Sequence, residues 1–189
     1  VIQALAFFGN GGTVNITADT AEIYSLVLAE GRTGLGGAIN ITANDLLLHR
    51  GQMPWMGGPG QLYSLATLSA YGASAGGSVN LDVANLSMID LGNVSPEDVN
   101  LDATYRPTIN VNGYAGNGGT INVDTSNFSL SPWQYFEATG SAVGGNIDIN
   151  ADTINLAGGL VATGGTTWGN VTTTATGSLF AAASAYIKA

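Results

Sequence analysis

A short phrase recurs along the chain and brings an amide or a carboxylate to the same position of each copy. Its fifth residue is, in successive copies, Asn15, Asn40, Asn80, Asn122 and Asp148. If the copies stack as neighbouring strands, equivalent side chains lie about 4.8 Å apart. Amide side chains at that spacing can hydrogen-bond to one another in a row. These residues therefore predict a structural ladder along one face of a stacked repeat.

The seventh residue of the phrase brings two carboxylates side by side. It is Asp82 in the third copy, Asp124 in the fourth and Asn150 in the fifth. Like charges at that spacing either share a proton or attract a cation, and Ca²⁺ binds several oxygen ligands. Asp82, Asp124 and Asn150 are therefore a candidate for a shallow, water-completed Ca²⁺ site. The alternative is that these carboxylates are only solvated.

The residue types that catalysis needs are scarce. The chain has no Cys, and its one His is His49, which we expect in a solvated turn. A carbohydrate-active β-helix would need clustered carboxylates with a base, or a carboxylate pair at a set separation, whereas the four basic residues are scattered through different units. So few basic residues, in a chain of net charge −9, also exclude a surface that binds a phosphate backbone. We predict a non-enzymatic protein with no catalytic residues, no resident cofactor and no nucleic-acid partner.

The phrase itself reads Gly-Gly-x-(Val/Ile)-(Asn/Asp)-(Ile/Leu/Val)-x-small. Its starts are separated by 25, 40, 42, 26 and 24 residues. The basic unit is therefore about 25 residues long, and two units carry insertions, at about residues 49–63 and 91–107. The copies begin at Gly11, Gly36, Gly76, Gly118 and Gly144, and a degenerate sixth copy begins at Trp168.

The pattern within the phrase predicts strands. In the first copy Val14, Ile16 and Ala18 share one face and Asn15 and Thr17 share the other, as in a strand with one dry and one wet face. Two further short alternating runs complete each unit. Three short strands at a fixed period predict an all-β fold: a single right-handed parallel β-helix domain over residues 1–189, with about six to seven coils.

Corners and ends complete this expectation. Gly9-Asn10 and Gly116-Asn117 are typical of corners that need positive φ. Val1–Phe8 and Ser178–Ala189 are apolar, so a solenoid would cover them with flanking coils of the same chain or with end coils of other copies. The first arrangement predicts a segment of a long protein, and the second a self-assembling fibre.

The two insertions are the most individual parts of the sequence. One carries Met53, Trp55 and Met56, and the other carries Tyr105 and Arg106. Exposed aromatic, Met and Arg side chains on loops of a rigid scaffold are typical of binding interfaces. We expect both loops on one side of the rod, joined there by Trp133. The alternative is that these aromatic residues fold back over the apolar flank of the solenoid.

Three stretches carry a family resemblance. GNGGTVNITADTAEI, GLGGAINITANDLLL and GNGGTINVDTSNFSL resemble the β-helical repeats of filamentous-haemagglutinin-like exoproteins of bacterial two-partner secretion. The resemblance implies a secreted or cell-surface rod, exported through an outer-membrane β-barrel and often adhesive towards glycans or a host matrix. The Asn-Pro motif of that family's secretion domain is absent from this sequence.

These observations lead to one functional expectation and two alternatives. We expect a structural or adhesive rod segment of a secreted or surface protein. The first alternative is a fibre subunit joined by end-to-end coil stacking. The second is a carbohydrate-active β-helix enzyme.

Overall fold

The computed structural model describes residues 1–52, 63–90, 108–132 and 134–189. These ranges contain strands and no helix, and hence no helix long and apolar enough to span a membrane. The strands are β1 Ile2–Gln3, β2 Thr13–Ile23, β3 Leu26–Leu28, β4 Ala38–Gln52, β5 Tyr63–Leu65, β6 Thr67–Ser69, β7 Ser78–Asp90, β8 Thr108–Asn110, β9 Thr120–Leu130, β10 Tyr135–Glu137, β11 Asn146–Leu156, β12 Gly159–Val161, β13 Asn170–Ala181 and β14 Tyr186–Lys188.

The strands form two sheets that run the length of the molecule. The short-strand sheet has the order β1-β3-β6-β8-β10-β12-β14, and the long-strand sheet has the order β2-β4-β7-β9-β11-β13. Neighbours within each of these orders are parallel, whereas β5 pairs antiparallel with the end of β4. Each coil contributes one strand to each sheet, as β1 and β2 do in coil 1 and β12 and β13 in coil 6. The fold is a parallel β-helix, as the repeat predicts, with six coils and a first strand of a seventh.

The expected three strands per coil are corrected to two. The phrase and the run after it form one continuous strand that bends at a single residue. Pairing between β2 and β4 runs as far as Ala18 opposite Ala43 and resumes at Thr20 opposite Asp45. The unpaired residues between them, Asp19 and Asn44, therefore mark the bend. The backbone pairing of the two strands continues on both sides of this single residue.

The core is built by stacking like on like. Val14, Ile39, Val79, Ile121 and Ile147 follow one another in register down the long-strand sheet, each at most 7% exposed. The facing short strands contribute a second buried row, which is Val27, Leu68, Ile109, Phe136 and Leu160. Removal of these rows from water is the main favourable term in folding, and it requires the coils to stack because a single coil cannot cover its own lining.

Glycine serves two different purposes at the corners. Gly9 has φ of 102°, and a Cβ there would meet nothing within 4 Å, so this corner needs glycine for its conformation. The same expectation for Gly116 is wrong, because it does not have positive φ. A Cβ on Gly116 would instead collide with Ser74 O of the preceding coil. Close approach of stacked backbones explains the glycine at this corner.

Candidate functional site

The outer face of the long-strand sheet carries a row of hydrogen-bonded amides, which we call the amide ladder. Asn40 Nδ2 donates to Asn15 Oδ1 at 2.8 Å, and Asn80 Nδ2 donates to Asn40 Oδ1 at 2.8 Å. Asn122 Nδ2 continues the row to Asn80 Oδ1 at 2.7 Å. Asp148 lies opposite Asn122 in the register, and its carboxylate has no N–H to donate. The ladder therefore joins four coils and ends at a carboxylate.

A second amide row, which was not predicted from the sequence, lies beyond the bend of the same sheet. Asn85 Nδ2 donates to Asp45 Oδ1 at 2.9 Å, and Asn127 Nδ2 donates to Asn85 Oδ1 at 2.8 Å. At the bend itself, Asn44 Nδ2 donates to Asp19 Oδ1. The signal was present, because Asp45, Asn85 and Asn127 each occupy the tenth position counted from the first glycine of their copy.

The three residues of the candidate cation site are direct neighbours across adjacent strands. Asp82 lies opposite Asp124, and Asp124 lies opposite Asn150. All three side chains are exposed, on an open groove that Asn80, Asn122 and Asp148 also line. In register they form a row along the rod axis. Within the described ranges no group of three or more His, Cys, Asp or Glu side chains is arranged to hold a metal ion.

His49 does not lie in a solvated turn, and that expectation is corrected. The residue is 6% exposed, and its ring stacks on Tyr24 with centroids 4.1 Å apart and planes 3° from parallel. Tyr24 Oη donates to Glu22 Oε2 at 2.6 Å, and His49 Nε2 lies 3.5 Å from that oxygen. The hydrogen bond to Glu22 raises the pKa of Tyr24. Both His49 nitrogens are buried without a hydrogen-bond partner, so the ring is packed as part of the flank.

Two further carboxylates lie on the short-strand side, each held by a neighbour. Ser69 Oγ donates to Glu30 Oε1 at 2.7 Å. Asn112 Nδ2 donates to Glu137 Oε2 at 3.2 Å, while Asn112 Oδ1 accepts the backbone N–H of Thr139 at 2.7 Å. Each of these carboxylates accepts a hydrogen bond from the adjacent coil, an arrangement that holds coils together.

The six residues expected at an interface lie outside the described residues. They are Met53, Trp55, Met56, Tyr105, Arg106 and Trp133. The points where their segments join the solenoid are described. Residues 53–62 connect β4 to β5, and Gln52 lies opposite Tyr63 at the base of that hairpin.

The three attachment points lie on one edge of the molecule. Residues 91–107 connect β7 to β8, and residue 133 lies between β9 and β10. Each connection therefore leaves the end of a long strand. Two of them lead directly to the short-strand sheet, and residues 53–62 lead there through β5. Because β4, β7 and β9 are consecutive neighbours in their sheet, the connections begin at the same corner of adjacent coils.

Comparisons with known proteins add no relative. No family model matches the chain, and no curated protein or solved structure is detectably similar to it. Functional inference therefore depends on the geometry of the solenoid and on the character of its repeats.

Proposed function

We propose that the chain is a non-enzymatic structural and adhesive rod, a β-solenoid segment of a secreted or cell-surface protein. The observation that carries the proposal is that polar side chains of the outer face hydrogen-bond to one another between coils. Asn15, Asn40, Asn80 and Asn122 are hydrogen-bonded to their counterparts in adjacent coils. They are used to stiffen a repetitive stack, whereas an enzyme would direct such groups towards one reacting centre.

The carboxylates support the same reading. Glu30 and Glu137 accept hydrogen bonds from Ser69 and Asn112 of adjacent coils, and Asp45 accepts one from Asn85. His49, the chain's one histidine, is buried against Tyr24. A general base must come within hydrogen-bond reach of a substrate proton, which the packed His49 ring does not favour.

The adhesive part of the proposal rests on the shared corner. Loops that a rigid scaffold places together commonly carry binding residues, and three successive connections begin at this edge of the rod. Their sequences supply Trp, Met, Tyr and Arg, which are enriched in interfaces. The ligand class implied by the resemblance of the repeats is a glycan or a host matrix surface.

Replacement of the first insertion tests the adhesive role. Residues 53–62 would be exchanged for Asn-Gly, a two-residue turn suited to the hairpin that Gln52 and Tyr63 close. We expect an unchanged melting temperature and loss of binding to glycan arrays and matrix-coated surfaces. Tyr114→Ser provides a matched control, because Tyr114 is 76% exposed in the turn between β8 and β9.

The outcomes distinguish adhesion at this corner from binding elsewhere on the rod and from enzymatic activity. Binding that survives the replacement, or that the Tyr114→Ser control abolishes equally, would contradict the assignment of adhesion to this corner. Release of reducing ends from a polysaccharide panel by the intact chain would favour the enzyme alternative. The surface location is tested separately, by whether protease added to intact source cells cleaves the protein.

A further inference from the structure

The first glycine of the phrase lies against the next coil in every regular repeat. A Cβ built on Gly144 of coil 5 would lie less than 3.0 Å from both Ala162 O and Gly169 N of coil 6. Those two atoms form the 2.6 Å hydrogen bond that closes the turn between β12 and β13. An added Cβ would collide in the same way with the following coil at Gly11, Gly36, Gly76 and Gly118. We call these five positions the glycine column, and any side chain in it excludes a closely stacked coil.

Coil 6 places Trp168 in this column. Thr167 pairs with Val143, and Asn170 pairs with Asn146, so Trp168 lies opposite Gly144. Its side chain is 61% exposed. A seventh coil that stacked on coil 6 as coil 6 stacks on coil 5 would bring its closing hydrogen bond onto the Trp168 Cβ. The column that permits regular stacking therefore ends here.

Coil 6 also departs from the repeat at one position of its inner face, although Val171 and Leu179 keep the apolar character of the other rows. Thr173 lies opposite Ile149, in a row that the earlier coils fill with Ile16, Ile41, Leu81 and Val123. A further coil would bury the threonine hydroxyl in an apolar lining. Burial of a polar group without a partner is costly, whereas at an open end of the stack the hydroxyl remains hydrated.

The third departure is at the bend. Asp152 alone occupies the bend of β11, but the pairing with β13 passes from Ala151–Ala175 to Thr153–Ser178. Coil 6 therefore has two residues at the bend, Thr176 and Gly177, where the other coils have one. An extra residue of this kind is a β-bulge, which disrupts the ladder and twists a strand away from a partner. Bulges are one of the means by which proteins protect exposed sheet edges.

We propose that coil 6 is a capping coil, in which Trp168, Thr173 and the Thr176-Gly177 bend close this end of the long-strand sheet to a further coil. The closure applies equally to a coil of the same chain and to one of a second copy. Terminal repeats of solenoids commonly differ from internal ones. In coil 6 the difference is one of stacking geometry, since Leu179 and Phe180 remain exposed.

Coil 1 shows what a regular coil at the other end looks like. It keeps both glycines of the phrase, Gly11 and Gly12, an aliphatic Ile16 and a one-residue bend at Asp19. The three departures therefore occur together in coil 6 and are absent from coil 1. A coil 6 face closed in this way would not accept the regular coil 1 of a second copy.

An extended chain tests the cap. A second copy of residues 163–189 is added after Ala189, so that coil 6 becomes an internal coil. The first extended chain keeps the natural coil 6. The second carries Trp168→Gly and Thr173→Ile and lacks Gly177, and the third differs from the second only by Ala in place of Gly at position 168. The Ala chain is the matched control, because it removes the indole but keeps the Cβ.

Hydrogen exchange of backbone amides in the added segment is the readout. We expect exchange slowed on the order of a hundred-fold in the chain with Gly at position 168 and little protection in the other two. Equal protection in the natural or the Ala chain would overturn the proposal, because a Cβ in the column would then not block stacking. Lack of protection in the Gly chain would overturn it as well, since restoring the regular pattern would not have reopened the stack.

Discussion

Single side chains in this protein act mainly through their neighbours in adjacent coils. Asn80 is the clearest case, because it donates to Asn40 at 2.8 Å and accepts from Asn122 at 2.7 Å. We expect Asn80→Ala to lower the free energy of unfolding by about 1–2 kcal/mol, since each hydrogen bond contributes about 0.5–1.5 kcal/mol net. Urea denaturation measures the loss.

Asn155→Ala is the control for that substitution. Asn155 is exposed on the same sheet, and the structure gives it no side-chain hydrogen bond. We expect its replacement to change stability by less than about 0.5 kcal/mol. Equal losses at Asn80 and Asn155 would show that the ladder adds nothing beyond the local preference for asparagine.

His49 gives a prediction of the opposite sign. Both ring nitrogens are buried without a hydrogen-bond partner, while the ring stacks on Tyr24. His49→Phe keeps an aromatic ring against Tyr24 and removes the two unsatisfied atoms, so we expect about 1 kcal/mol of added stability. Thermal unfolding at pH 8 checks this, and a lower melting temperature would mean that the contact of His49 Nε2 with Glu22 Oε2, at 3.5 Å, stabilises the fold.

The burial of His49 could have been predicted from the sequence but was not. Alignment of the first two copies places Tyr24 directly opposite His49, one repeat of 25 residues away. A lone histidine before an insertion looks like part of a turn when it is considered singly. Its burial depends on a tyrosine in the preceding coil, which only the register between coils reveals.

At the scale of elements, the glycine positions set the distance between coils. A Cβ on Gly119 would collide with Gly77 O of the preceding coil. We expect Gly119→Ala to cost about 3 kcal/mol, at the upper end of the range for overpacking, because the obstacle is backbone and cannot rotate away. Gly9→Ala should cost about 1–2 kcal/mol, for conformation alone.

Thermal unfolding of the two variants distinguishes these causes. If Gly9→Ala were the more damaging change, then backbone conformation would govern the corners and the close approach of coils would be secondary. Equal small losses would mean that the stack can widen locally at Gly119 without affecting the ladder.

The elements were predictable to the extent that the repeat is regular. Alternation in the phrase identified the dry and wet faces correctly, and Val14, Ile39 and Ile121 are buried as expected. The division into three strands failed because a one-residue bend at Asp19 leaves no signature of a break. The prediction of positive φ at Gly116 was wrong because a glycine in a sequence does not reveal whether backbone conformation or lack of space for a side chain requires it.

At the scale of the whole molecule, most of the carboxylates whose side chains are described lie on the long-strand sheet. Its outer face and bend carry Asp19, Glu22, Asp45, Asp82, Asp124, Asp148 and Asp152. Arg32 and Lys188, the basic residues whose side chains are described, follow β3 and end β14. Mutual repulsion of these carboxylates should weaken the stack at low ionic strength.

Salt and calcium dependence test this charge distribution. We expect 0.5 M NaCl to stabilise the chain by about 1 kcal/mol, or roughly 2–4 °C in melting temperature, and the double variant Asp82→Asn/Asp124→Asn to reduce that gain. Melting in calcium and in chelator then distinguishes a bound ion from screening. Equal melting temperatures in both would dismiss the Ca²⁺ site at Asp82, Asp124 and Asn150.

The candidate sites were predictable only where they follow the repeat. Asn15, Asn40, Asn80 and Asn122 share a phrase position, so strand stacking alone places them side by side. Trp55 and Tyr105 lie in segments without a counterpart in other coils. No register fixes such residues, and their assignment to an interface stays a prediction from composition.

The strand order of the two sheets has a mechanical consequence. Within the two sheets, each strand is hydrogen-bonded to the strands of the coil before it and the coil after it, so a force applied along the axis loads the junctions between coils in series. A rod pulled from its ends in an optical trap should lengthen in discrete steps as coils detach. Each step would release the chain of one unit, which is 24–26 residues for a plain coil and 40 or 42 for the two coils that carry insertions.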